Sequence, residues 1–357
     1  MTRIDDVARL AGVSTATVSR ALRGLPTVSA ATRRRVQAAA EQLQYAVSPS
    51  ASRLAGGKTG TVAVVVPRIT RWFFATVVEA VEDHLHENGY DLLLYNLGGR
   101  EQTRRRVLRT ANLHKRVDAI ILVATPLRPA DATALTKLDL PGVTISSGSG
   151  VPGWPSVRID DVAAGRTATR HLVDLGHTRI AHISGDPDDE LAFTTHLDRR
   201  RGYQEALRAA GIRPDPSLDV ESQFTVDGGT RATAELLARG EPPTAIFAAC
   251  DEMAMGAMTA LRDAGLRVPQ DVSVIGVDDH DLAGALGLST IAQPAAEQGL
   301  LAARILLDPL GVRAAEPYAG SAPAPGGGDA SDDTPARPVI LPTRLVVRES
   351  TAPPRAH

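Results

Sequence analysis

The chain has 357 residues, 43% of them hydrophobic, and a formal net charge of −2. That leaves room for two or three domains with sizeable cores. No run approaches the roughly 18 uncharged apolar residues that span a bilayer, so no membrane partner is expected. The near-neutral total hides an asymmetry. Residues 1–60 hold nine Lys and Arg against three Asp and Glu, which is +6 and leaves −8 on the remainder. A small basic head on an acidic body suits a polyanion-binding module attached to something else. The single cysteine, Cys250, cannot form an internal disulfide, and Asp5 and Asp6 stand where an export leader would be basic. The expected compartment is the cytoplasm.

The first stretch, Ile4 to Arg23, reads as two short helices and a tight turn. Thr2 is a candidate N-cap, with Asp5 three residues on as in a capping box. Ile4, Val7, Ala8 and Ala11 recur at i, i+3, i+4, i+7, one apolar face. Gly12 supplies the left-handed residue that ends a helix, and Ser14 can cap the next. On that second helix Val18, Ala21 and Leu22 face inward. Thr15, Ala16, Thr17, Ser19 and Arg20 are left outside. A helix, a Gly-containing turn and a second helix with a small, polar face and one reaching arginine form a helix-turn-helix that fits the DNA major groove. An ordinary helical hairpin is the bland alternative. A third helix starts at Val28-Ser29 with Ser29 as cap, and Val36, Ala39, Ala40 and Leu43 make its inner face. Arg33, Arg34 and Arg35 crowd its first turns, where a helix dipole alone would favour acids. Phosphate is the simplest partner.

Residues 46–60 have linker composition, although Pro49–Ala55 could make two helical turns on a DNA surface. From Thr61 the texture changes. Strands are expected at Val62–Val66, Tyr90–Tyr95, Ala119–Val123 and Val143–Ser146, with helices at Phe74–Asn88, Glu101–Leu113 and Ala130–Leu138 between them. A second series runs from Val157–Ile159 through Ile180–Ser184, Leu218–Val220, Ala245–Ala249 and Val272–Val277. Its helices are Ala163–Leu175, Arg199–Ala210, Gly228–Ala238 and Met253–Ala264. Apolar strands separated by helices imply parallel sheets covered on both faces. The fold class is therefore an N-terminal all-α helix-turn-helix headpiece plus an α/β core of two doubly wound parallel-sheet lobes. A ligand would sit in the cleft at the carboxyl ends of the strands. Residues 314–338, rich in Ala, Pro, Gly, Ser and Asp, read as a disordered surface insertion. Val339–Val347 reads as one last strand.

Enzyme signatures are missing from the sequence. There is no Gly-x-Ser-x-Gly elbow, Walker loop, cysteine pair or His-Glu-x-x-His. His171 and His177 lack a third ligand at metal spacing, and His177 reads as a helix-end residue after the C-cap Gly176. No catalytic residue, metal or cofactor is expected. A solute-binding protein would carry an export signal and no basic head, and neither holds.

These residues together resemble the lactose-repressor (LacI/GalR) family of bacterial transcription regulators. The resemblance rests on Asp6-Val7-Ala8, Ala11-Gly12-Val13-Ser14, Thr17-Val18-Ser19-Arg20, Val28-Ser29 and Thr32 in the head. In the body it rests on His171-Leu172 with Gly176-His177, Arg199 before Gly202-Tyr203, Asp251-Glu252-Met253-Ala254, Val274-Ile275-Gly276 with Asp278, and Gln293-Pro294. It implies a headpiece over 1–46, a hinge over 47–60, and an effector-binding and dimerisation core over 61–357 like the periplasmic sugar-binding proteins. The N-lobe would span about 61–158 plus 292–313, and the C-lobe about 159–291 plus 339–350. By resemblance, Thr15, Ala16 and Arg20 read bases, and Ser14, Thr17, Ser19 and Thr32 hold phosphates. Leu54 is the minor-groove wedge, and Phe73, Phe74, Arg199, Phe224 and Asp278 line the effector cleft. Asp251, nearby, reads as a helix N-cap. Arg71-Trp72 depart from the family's common Asn-Pro before the aromatic pair, and Cys250 from a common asparagine. The function implied is repression of a carbohydrate-utilisation operon. A homodimer would bind a pseudo-palindromic double-stranded operator under control of a small effector, expected to be a sugar. A purine or other corepressor-type metabolite is the alternative. The tail 348–357 has no heptad, so a dimer is expected over a tetramer.

Overall fold

The computed structural model describes residues 3–22, 25–45, 58–109, 113, 115–125, 127–147, 150–186, 194–310 and 338–355. The basic head is three helices, α1 (Ile4–Ala11), α2 (Thr15–Leu22) and α3 (Ala30–Gln42). Val7, Val18 and Val36 are fully buried at their junction with Ala8, Ala11, Ala21, Ala39 and Ala40 around them. Each such valine contributes roughly 1.5–3 kcal/mol. The first cap lies one residue later than the sequence implied. Arg3 is the N-cap, and its N–H donates to the Asp6 carboxylate at 3.0 Å. The pairing shifts from Thr2–Asp5 because the helix begins at Ile4, which makes Asp6 the third helical residue. That backbone bond is the main cause lowering the Asp6 pKa, with Arg9 adding to it. Gly12 ends α1 at φ 63°, a conformation that is cheap only for glycine.

The hinge reading for 47–60, with its wedge Leu54, lies outside the described residues except for 58–60, as does 314–337 of the insertion. At 59–60 the chain is anchored. The Thr59 and Gly60 amides and the Thr59 hydroxyl all donate to the Asp118 carboxylate at 2.7–2.9 Å.

The body contains, among the described residues, two six-stranded sheets. In the N-lobe the elements are β1 (Thr61–Val66), α4 (Trp72–Glu87), β2 (Asp91–Asn96), α5 (Glu101–Val107), β3 (Ala119–Val123), α6 (Pro129–Thr136), β4 (Gly142–Ile145) and β5 (Ser156–Ile159). In the C-lobe they are α7 (Asp161–Asp174), β6 (Ile180–Gly185), α8 (Thr195–Ala209), β7 (Asp219–Ser222), α9 (Val226–Ala238), β8 (Ala245–Ala248), α10 (Asp251–Asp263), β9 (Ser273–Asp278) and β10 (Ser289–Ala292). Helix α11 (Ala295–Leu307) then returns to the N-lobe, and β11 (Val339–Leu341) and β12 (Arg344–Val346) follow. The sheet orders are β11-β5-β4-β3-β1-β2 and β12-β10-β9-β8-β6-β7. The two lobes thus repeat one winding, in which the first strand of each pairs with both the second and the third. That is the doubly wound arrangement with a switch point.

Two elements escaped the sequence reading: β10, which is short and half polar, and α11, which starts directly after Pro294. Boundaries differ as well: the helix expected at Glu101–Leu113 ends at Val107, that expected at Arg199–Ala210 begins at Thr195, and Val157–Ile159, placed at the head of the second series, joins the N-lobe sheet as part of β5. The expected last strand Val339–Val347, assigned to the C-lobe, is two strands in two sheets. β11 lies parallel to β5 in the N-lobe, and β12 antiparallel to β10 in the C-lobe. Pro342 between them has no N–H for a ladder.

Helices α4 and α11 pack on the N-lobe sheet through Val77, Val81, Leu85, Ala302 and Leu306. Helices α7 and α8 cover one face of the C-lobe sheet, and α9 and α10 the other. The α7–α8 contact is close enough that a Cβ on Gly165 would collide with the Arg199 backbone, and one on Gly202 with that of Val162. This approach brings Arg199 beside Asp161, at the start of α7.

Candidate functional site

Two surfaces have the chemistry to recognise something. The first is on α2. Thr15, Ala16 and Arg20 are exposed, and Ala16 and Arg20, four residues apart, share a helix face. The hydroxyl of Ser14 caps α2, accepting from Thr17 N at 3.2 Å and lying 2.9 Å from Thr17 Oγ1. Ser29 and Thr32 repeat this box on α3, at 3.3 and 2.9 Å. Both helix starts therefore present hydroxyls beside free amide ends, which favour anions. Thr17, Ser19 and Thr32 are half-buried and Ser14 is exposed. Of the three consecutive arginines, Arg33 donates to Leu25 O at 2.8 Å and so braces the loop, while Arg34 and Arg35 point to solvent.

The second surface is the cleft between the lobes, a cavity of about 260 Å³. All five residues singled out for it, Phe73, Phe74, Arg199, Phe224 and Asp278, line it. Phe73 and Phe74 open α4 and meet edge to face at 5.5 Å. Arg199, on α8, is 4% exposed. Its Nε donates to Asp161 Oδ1 at 2.9 Å and its Nη1 to Ala249 O. Burial works against its charge, but Asp161 and Asp278 outweigh that and raise its pKa. Burial in turn raises Asp161, with Arg199 opposing.

Asp278 ends β9 at φ 141°, a conformation L-residues rarely adopt. Burial pushes its carboxyl up to about 7, Arg199 opposing and Asp251 adding. It accepts from Gln293 Nε2. Gln298 Nε2 donates to Gln293 Oε1 at 3.2 Å, and Ser146 Oγ to Gln298 Oε1 at 2.9 Å. A row of side-chain hydrogen bonds thus runs from the C-lobe carboxylate to the end of an N-lobe strand.

Asp251 is not the helix cap its position suggested. The N-cap is Cys250, and Asp251, fully buried, accepts from Thr290 Oγ1 at 2.7 Å and His280 N at 2.9 Å. Burial raises it to about 6. Its carboxylate ties β10 to the turn after β9, a long-range role that local spacing cannot reveal. His177 likewise is more than a helix end. It is buried, with ring nitrogens 3.0 Å from Thr244 Oγ1 and 2.9 Å from Ala352 O, and so clasps the C-terminal stretch.

Asp161, Gln293, Gln298 and Ser146 were missed as site residues. Asp161 and Ser146 had one signal, a polar residue just past the carboxyl end of an apolar strand. Among the described residues there is no group of His, Cys, Asp and Glu that could hold a metal ion, and no helix long and apolar enough to cross a membrane.

Residues 3–48 match the model of the bacterial regulatory proteins of the lacI family, and residues 169–351 that of a periplasmic binding protein-like domain. The HTH-type transcriptional repressor PurR of Vibrio atlanticus (strain LGP32) is 35% identical over 311 residues, covering 86% of this chain and 92% of the relative. Among solved structures, a complex of the transcriptional regulator CelR with cellobiose aligns with TM-score 0.68 and 32% identity, over 98% of this chain and all of that one. The Lac repressor dimer bound to operator and the anti-inducer ONPF aligns with TM-score 0.80 and 27% identity, over 98% and 99%. With a helix-turn-helix head, a two-lobed body and relatives spanning nearly its full length, this chain belongs to the lacI family of bacterial regulatory proteins and is a DNA-binding transcriptional regulator.

Proposed function

We propose that the chain works as a homodimeric repressor of a carbohydrate-utilisation operon, and that a sugar in the cleft controls its affinity for a pseudo-palindromic operator. The observation that carries this is the charge balance of the cleft. Arg199 is already matched by Asp161 and Asp278, one cation against two carboxylates, so it has no positive charge to spare for an anion. Around them stand the rings of Phe73, Phe74 and Phe224. A neutral ring with apolar faces and hydroxyl edges fits that lining better than a phosphate does. The cellobiose found with CelR and the operator-bound Lac repressor dimer support the same reading for this chain.

On the operator, Arg20 gives two hydrogen bonds to guanine O6 and N7, and Thr15 and Ala16 touch thymine methyls. Ser14, Thr17, Ser19 and Thr32 hold phosphates, which set register without reading sequence. Leu54 is assigned the wedge that opens a minor-groove step. A dimer presents two such heads to two half-sites. The effector acts by preferring one arrangement of the lobes, since only differential affinity can shift an equilibrium. The protein performs no turnover and works where the operator is, in the bacterial cytoplasm.

A thermal-shift screen of the full chain against sugars, sugar phosphates and purines tests this. The expected hit is a neutral sugar that also changes operator affinity, read by fluorescence anisotropy. A purine hit would replace the sugar with a corepressor-type effector. A hit that leaves operator affinity untouched would remove the allosteric reading.

A further inference from the structure

Two further side-chain contacts join the lobes beside the cavity. Arg71, the N-cap of α4 in the N-lobe, places Nη1 3.5 Å from Glu252 Oε2, in the first turn of α10 in the C-lobe. Next to it the Trp72 ring lies 5.4 Å from the His280 ring, tilted by 32°. Arg71, Trp72 and Glu252 all line the cavity. The ion pair is partly shielded, its side chains 30% and 17% exposed. It therefore feels less screening than a surface pair.

The C-lobe partners are held firmly. Glu252 sits at a helix start, which favours a negative charge. The His280 amide donates to Asp251 Oδ2 at 2.9 Å, and its Nδ1 accepts from Leu282 N at 3.0 Å. With Nδ1 accepting, the neutral ring carries its proton on Nε2. Trp72 Nε1 is buried and has no hydrogen-bond partner among the described residues, so this ring is placed by its faces rather than by its polar edge.

We propose that Arg71–Glu252 and Trp72–His280 form a latch that holds the lobes together beside the cavity and limits the ligand to a single sugar ring. The size limit rests on the sugar reading above; the latch does not. The cavity beside the latch holds about 260 Å³. A ligand that extends toward the starts of α4 and α10 meets the ion pair, both of whose residues line the cavity. Opening the latch exposes the aromatic wall and gives a longer ligand a way out of the cavity.

The chain has two tryptophans, Trp72 and Trp154. In a Trp154→Phe background, emission and acrylamide quenching report on Trp72 alone and need no ligand. Glu252→Gln and Arg71→Ala should each shift emission to the red and raise quenching at least twofold. The charge-exchanged double variant R71E/E252R should restore most of the shielding, which a merely local packing role would not do. Unchanged quenching in both single variants would overturn the latch, provided their melting temperatures match the parent's. Titration calorimetry with D-glucose, D-ribose and cellobiose then tests size. The parent should bind a monosaccharide and not cellobiose, and Glu252→Gln should gain at least tenfold in cellobiose affinity. Cellobiose binding by the parent would refute the size limit. If quenching responds as described and no sugar binds any variant, the latch stands and the sugar reading falls.

Discussion

On α2 the side chains offered to a partner, Thr15, Ala16 and Arg20, stand in solvent on a helix held from behind by Val18 and Ala21. In the cleft, Arg199 and Asp278 are 4% and 7% exposed, little more than the valines beside them. The first surface can change without unsettling its scaffold. The second cannot, because its candidate recognition groups are also buried charges that hold one another. Recognition and stability separate on the head and coincide in the body.

Four substitutions test that contrast. The largest effect is expected from Arg199→Ala. It leaves Asp161 and Asp278 uncompensated, and should cost roughly 3–5 kcal/mol of body stability in urea unfolding as well as ligand binding. A loss of binding at unchanged stability would show that the charges are not mutually dependent.

The next concerns pH. Asp278 stands near 7 and Asp251 near 6 because burial penalises their charge. Both exceed the roughly 3.9 of an unfolded aspartate, so between those values the folded chain holds protons that the unfolded chain has released. The resulting stability is complete below about pH 4 and is lost as pH rises through 7. From pH 5 to 8 the parent should therefore lose on the order of 2 kcal/mol relative to Asp278→Asn. Parallel losses in the two proteins would place the proton elsewhere.

On the head, Arg20→Ala should reduce discrimination between operator and mutated operator by roughly 1–3 kcal/mol. The salt slope of nonspecific binding and the melting temperature should stay as they were. A flatter salt slope with unchanged discrimination would mean that Arg20 holds a phosphate. The smallest effect is expected for Ser29→Ala, which removes the α3 cap and should cost about 1 kcal/mol of head stability by thermal melting. A null effect would transfer the capping role from Ser29 to the Thr32 hydroxyl.

Reading Phe73, Phe74, Arg199, Phe224 and Asp278 as cleft residues depended on the family resemblance, and the fold does bring all five to one cavity. Their partners were illegible. Arg199 meets Asp161 38 positions away and Ala249 50 positions away, and Ser146 reaches Gln298 across 152. Asp251 looked like a cap because only its neighbours in sequence were visible, whereas its bonds go to His280 and Thr290. The strand at Val339 looked continuous because nothing local says that β11 and β12 join different sheets.

Local signals were enough to read the head: its helices, its Gly12 stop, its Ser14 and Ser29 caps and its outward face. Every signal there lies within four residues, the reach of a helical turn. The sequence also showed that the body alternates strands and helices in two series, since apolar period and punctuation are local as well. Long-range packing set which lobe each returning segment joins, which carboxylates face Arg199, and that Arg71 meets Glu252 between the lobes. Those choices follow from how separate elements pack and how buried charge finds a partner.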